Sequence, residues 1–147
     1  MTRMLPPFTT AGDLPDGIHT AGWPEIAARL GGSPARDRLL ARLRHLHELA
    51  ARTGKLKRFL VFGSVVSDVP VPRDVDIALV MAADFQLENA PRESQTLFSH
   101  ADAEARFGAS VFWVREDMLP EALMQEFLDT WQTKRDGTRR GIVEVTA

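Results

Sequence analysis

The chain has 147 residues, no cysteine, and 18 basic against 20 acidic side chains, a formal charge of −2. That length supports one core burying roughly two-thirds of the chain's surface without a staple, and 44% hydrophobic with 26% charged residues lies outside the composition of disordered chains. Thiolate catalysis, iron–sulfur ligation and a disulfide framework are excluded. No apolar run approaches the roughly 18 residues of a bilayer span, the leader MTRMLPPFTTAGDLPDG has no signal-peptide stretch, and near-neutrality argues against a surface that holds nucleic acid mainly by neutralising phosphates. The expected setting is the cytoplasm, away from membranes.

Residues 1–20, broken by Pro6, Pro7, Gly12, Pro15 and Gly17, suit an extended N-terminal arm, and residues 21–147 a single domain. Trp23 and Pro24 open a short helical segment, Glu25 to Leu30, that stops at Gly31-Gly32. Ser33 before Pro34 reads as an N-cap and first helical residue. Leu39, Leu43, Leu46 and Ala50 then recur at helical spacing toward Gly54. Lys57 to Phe62 changes period and reads as a buried strand ending at Gly63, and Asp74 to Met81 as a second, rich in β-branched residues. Pro91 to Phe107 predicts one long helix with Leu97, Phe98, Ala101 and Ala105 inward and Gly108 at its C-terminus. Ser110 to Val114 is a third strand. Pro120 to Thr130 is a further helix with Leu123, Met124, Phe127 and Leu128 inward, and Trp131 to Val145 forms a hairpin or a slightly longer loop around Asp136-Gly137. The expected class is α/β or α+β, a small mixed sheet with helices mainly on one side.

Chemistry concentrates in FLVFGSVVSDVPVPRDVDIALV, residues 59–80. A strand delivers Gly63 and Ser64 to a turn. After nine intervening residues Asp74 and Asp76 begin the next strand, where residues two apart project to one face while Val75 and Ile77 face the other. Neighbouring carboxylates raise each other's proton affinity and become stable as anions when a divalent cation bridges them. A sparse set of hard oxygens, completed by water and substrate phosphates, is what Mg²⁺ prefers. Glycine lets backbone approach a phosphate closely, and the serine hydroxyl and N–H can donate to it; the same hydroxyl can also cap the turn that follows. Phosphates on Gly63 and Ser64, with metal on Asp74 and Asp76, describe a phosphoryl- or nucleotidyl-transfer site.

This pattern, an apolar strand ending in Gly-Ser, nine residues, then Asp-Val-Asp-Ile-Ala-Leu, resembles the signature of the polymerase-β-like nucleotidyltransferases in their small stand-alone bacterial branch. DGIHTAGWPEI and WQTKRDGTRRGI are similar to segments of an uncharacterised group there. The resemblance implies transfer of a nucleoside monophosphate from ATP or another nucleoside triphosphate to an acceptor hydroxyl, with pyrophosphate leaving. It places the triphosphate on Gly63 and Ser64 and Mg²⁺ or Mn²⁺ on Asp74 and Asp76, the candidate catalytic residues. Active members commonly carry a third carboxylate on a later strand. The matching segment here, Gly108 to Val114, has no acid; Ser110 stands in its place, and Glu116 and Asp117 lie only beyond the strand's far end. A neutral serine cannot accept a proton as a carboxylate does. A non-catalytic nucleotide- and metal-binding module acting through a protein partner, like the antitoxin components of two-part bacterial systems, is therefore the alternative.

Arg73, directly before the first acid, either reaches the triphosphate or pairs with a neighbouring carboxylate. His45 and His47 lie about 200° apart around a helix and cannot chelate one ion. Isolated His19 and His100 read as structural, and Trp23, Trp113 and Trp131 as packing residues. Lys134, Arg135, Arg139 and Arg140 form the one local basic cluster, most simply a charged hairpin tip, with contact to phosphate, RNA or a protein partner as other readings. RNA binding ranks last. A domain this small leaves little room for acceptor recognition, so a partner chain or a second copy would complete the site.

Overall fold

A computed structural model describes residues 5–146; residues 1–4 of the expected arm lie outside the described residues. The elements run β1 (Ile18–Ala21), α1 (Trp23–Leu30), α2 (Pro34–Ala51), β2 (Leu56–Phe62), β3 (Val75–Met81), α3 (Arg92–Gln95), α4 (His100–Phe107), β4 (Ala109–Arg115), α5 (Glu121–Thr130) and β5 (Ile142–Val145). The strands form one mixed sheet in the order β1-β5-β2-β3-β4. β2 is antiparallel to both β3 and β5, while β1 and β4 are parallel to their neighbours β5 and β3. The class is α+β. Among the described residues no helix is long and apolar enough to cross a membrane.

Helices sit mainly on one side, with α5 on the other, and β3 is buried on both faces. Val75, Ile77, Leu79 and Met81 are fully buried in the larger core cluster with Leu39, Leu43, Leu46 and Leu49 of α2 and Ile26 of α1. Ala78 and Val80 point the other way, into a smaller cluster with Leu60, Phe62, Val114, Ile142 and Leu128 of α5. Such two-sided burial makes a strand read as a continuous apolar run. The Ser33 hydroxyl accepts from the Arg36 N–H and Pro34 occupies the first turn, so α2 starts where the cap signal places it.

Three expectations need correction. The segment 91–107 is not one helix: α3 passes into a 3-10 turn at Thr96–Phe98, and α4 restarts at Ser99, whose hydroxyl accepts from Asp102 N–H. Serine offers the backbone a cap in place of a helical turn; Leu97 and Phe98 still reach the core, but the restart turns Ala103 inward and leaves Ala101 and Ala105 exposed. Leu123 is exposed at 46%, because α5 lies against the sheet chiefly through Leu128, with Met124 and Phe127 half-buried. The arm gives way to β1 at Ile18, which pairs with Ile142. The arm itself wraps the domain: Leu5 and Leu14 are buried in the larger core. The Asp136-Gly137 turn is present with a single antiparallel bridge, Thr133 to Arg139, before the chain enters β5.

Candidate functional site

The end of β2 fixes the first half of the site. Gly63 takes φ 85° and ψ −163° and leads into a 3-10 turn at Ser64–Val66, a conformation only glycine adopts cheaply. The requirement is also steric, since a Cβ on Gly63 would collide with Oδ2 of Asp76. The half-buried Ser64 begins the turn, and its carbonyl accepts from the Ser67 N–H at 3.2 Å and hydroxyl at 2.6 Å. From α2, the buried guanidinium of Arg36 donates to the carbonyls of Leu30, Val65, Ser67 and Val69. It lashes the loop after Gly63 to the helical layer, a role the sequence did not signal.

The acids stand on the neighbouring strand. Asp76 pairs in register with Phe62 of β2 and Ser110 of β4, on the face opposite Val75 and Ile77. Asp76 is half-buried; Asp74, just before β3, is exposed. Burial first, and then the charge of Asp74, raise the Asp76 carboxyl above its ordinary value; Arg140, a hydrogen bond from Ser110, and Arg135 pull it partway back. The two acids therefore share one electrostatic environment, and the glycine turn lies directly against the more buried one. Ser110 of β4 stands directly beside Asp76 in the parallel register. Glu116 lies a full strand length away, its N–H donating to Met81 O at the other end of β3. Among the described residues no group of three or more His, Asp and Glu side chains is arranged to hold a metal ion.

The basic cluster divides by partner. Lys134 pairs with Asp13 at 2.7 Å, and Arg139 with Asp16 at 3.1 Å and Asp129 at 2.7 Å. Arg135 and Arg140 make no ion pair among the described residues, and both act on Asp76. No local signal joins them to acids some 60 residues earlier; the antiparallel pairing of β5 with β2, Val61 to Val143, does so. Arg73 is exposed and makes no ion pair among the described residues.

Aromatic rings cover the same face beside the acids. Trp131 stacks on Phe62 with centroids 4.6 Å apart and 20° between planes, and lies 4.6 Å from Phe112. An open hollow of about 330 Å³, lined by Phe98, His100, Val111, Phe112, Trp113 and Phe127, lies along β4 just past Ser110. The histidines of α2 part as their spacing requires: His45 lies 3.6 Å from Glu93, while His47 packs edge-on to Phe59 and Trp23, where burial lowers its proton affinity.

The sequence matches, over residues 6–146, a family described as a family of unknown function, DUF6932, and the chain belongs to that family. Neither the curated proteins nor the solved structures contain a match.

Proposed function

We propose that the protein is a Mg²⁺-dependent nucleotidyltransferase, with Mn²⁺ able to replace Mg²⁺, acting on ATP or another nucleoside triphosphate. The observation that carries this reading is the half-buried Asp76, set against the Gly63 turn with Asp74 beside it, two like charges on one side of a strand. The donor set fits a hard cation: both ligands are carboxylates, their mutual repulsion is what a divalent ion relieves, and exposed Asp74 leaves room for water and phosphate oxygens. When bound, such an ion neutralises charge developing on the phosphates. Asp74 and Asp76 would hold it, the missing side chain of Gly63 makes room for Asp76 against the turn, and the backbone of that turn with Ser64 would donate to the phosphate. The acceptor oxygen would bond to the α-phosphorus as the bond to the pyrophosphate oxygen breaks, the hydroxyl proton passing to solvent. The resemblance of residues 59–80 to the nucleotidyltransferase signature supports the same assignment.

Ser110 favours a second reading. With serine rather than an acid beside Asp76, the site offers ligands for one cation and no extra anionic base. That suits a module which binds nucleotide and metal without turnover and works through a protein partner. Incubation with α-labelled nucleoside triphosphates, Mg²⁺ and cell extract separates the two. Label transfer abolished by both Asp74→Asn and Asp76→Asn supports the transferase; metal-dependent nucleotide binding without transfer supports the module. Absence of metal-dependent nucleotide binding overturns both.

A further inference from the structure

The described residues contain three buried side-chain polar atoms without a hydrogen-bond partner: Glu25 Oε1, Trp131 Nε1 and Arg140 Nε. The first lies by the arm, where the other oxygen of Glu25 accepts from Leu5 N–H. The other two are N–H donors, and both belong to the face that carries Asp76. Ile142 points into the smaller cluster with Phe62 and Ala78, so Arg140, two residues earlier on the chain entering β5, projects to that same side. Trp131 stacks on Phe62, the register partner of Asp76. Continuing the antiparallel register from Val61↔Val143 by one place brings Ile142 level with Phe62, so Gly141 and Arg140 enter the sheet beside the end of β2 where the glycine turn begins. Backbone bonds hold them there: Arg140 N–H donates to Gln132 O at 2.9 Å and Gly141 N–H to Leu14 O at 2.8 Å.

Buried donors left without acceptors are costly, and two of them on the face beside the glycine turn call for an acceptor-rich ligand. We infer that Arg140, assisted by exposed Arg135 across the Asp136-Gly137 turn, is the anion-holding half of this site and grips the oligophosphate tail of the nucleotide. Arg73, the arginine adjacent to the acids in sequence, is not the gripping residue: it is exposed on the connection before β3, with no bond fixing its direction among the described residues. A guanidinium suits the task because its planar fork meets phosphate oxygens two at a time. The assignment of nucleotide as the source of that phosphate rests on the function proposed above; the anion site itself does not.

Calorimetric titration of the full chain with inorganic pyrophosphate, with and without Mn²⁺, tests this. The wild-type protein is expected to bind pyrophosphate. Arg140→Gln should weaken binding about tenfold, Arg140→Lys should recover part of it, and Arg73→Gln should leave it within about twofold. Should Arg140→Gln fail to fold by circular dichroism, exposed Arg135→Gln decides, with weaker binding at unchanged melting temperature expected. Wild-type affinity in the variant that decides, or no pyrophosphate binding by the wild type in either condition, overturns the inference. Pyrophosphate binding that depends on Arg140, in a chain that binds neither Mn²⁺ nor nucleoside triphosphate, supports the anion site and removes the nucleotidyltransferase reading instead.

Discussion

Asp76 is the residue on which electrostatics and stability oppose each other. Burial and Asp74 raise its proton affinity in the folded chain, so the folded state binds this proton more tightly than the unfolded state. The resulting stability is fully present below the ordinary carboxylate value and is lost as pH rises through the raised folded value. At neutral pH without metal, the wild-type protein therefore carries an unfavourable charge. Asp76→Asn, which keeps a hydrogen-bonding partner for Ser110, should raise the metal-free melting temperature at pH 7 by about 2 °C, and the gain should shrink as pH falls toward 4. Added Mn²⁺ should reverse the order, stabilising the wild type by mass action and leaving the variant unmoved; thermal melts at both pH values with and without Mn²⁺ give the answer. Gly63 faces the same carboxylate. Gly63→Ala must place a Cβ at φ 85° against Asp76 Oδ2 and should cost about 1–3 kcal/mol in urea unfolding, with Mn²⁺ affinity falling alongside. Both residues were legible in the sequence, because Gly-Ser and the paired aspartates are local signals. Arg140 was not: its relation to Asp76 exists only once β5 lies beside β2, and no spacing along the chain encodes that pairing.

At the scale of elements, legibility followed the reach of the interaction that made each one. β2, β3 and β4 announce themselves as apolar runs ended by glycine or charge, and α2 by its Ser-Pro start. β1, four residues of Ile-His-Thr-Ala, is a strand because Ile142–Val145 lies alongside it, a partner more than 120 residues distant, so local composition was silent. The break between α3 and α4 was local but outweighed: the apolar period of Leu97, Phe98, Ala101 and Ala105 reads straight through Ser99, whose cap decides the structure. Arg36 shows the same limit from the other side. On the helical period it is one charge among many, yet it is buried and satisfies four carbonyls, three of them on the loop from Val65 to Val69 that follows the glycine turn. Replacing it by methionine preserves the stem and strands those carbonyls. Arg36→Met should cost about 3 kcal/mol in denaturant unfolding, and Arg36→Lys should recover less than half, since an ammonium cannot span the same fork. Because Gly63 and Ser64 immediately precede that loop, Mn²⁺ binding should weaken more in Arg36→Met than in an exposed α2 variant such as Arg38→Met.

Across the whole molecule, the arm ties the loop after Gly63 to the turn before Arg140. Asp68 N–H donates to Gly12 O at 2.9 Å and Asp13 bridges Ser67, which holds the arm to the loop after Gly63. The Asp13 carboxylate reaches Lys134 at 2.7 Å on the turn that carries Arg135 and Arg140, with side-chain exposures of 9% for the acid and 30% for the lysine. These unequal exposures make the pair asymmetric. Removing Lys134 leaves a buried carboxylate without its cation, whereas removing Asp13 leaves an ammonium that can swing into water. Lys134→Ala should therefore cost about 2 kcal/mol and Asp13→Ala about 1 kcal/mol, with the double variant no worse than Lys134→Ala alone. The Arg139 bridges to Asp16 and Asp129 are exposed, and their removal should change stability little and vanish in salt. If the arm does set the distance between the glycine turn and Arg140, both single variants of the buried pair should also weaken pyrophosphate binding several-fold without touching the anion, while Asp16→Ala should not. Unfolding curves and pyrophosphate titrations on the same three variants measure this, and stability loss without any loss of anion affinity would show that the arm holds the fold but not the site.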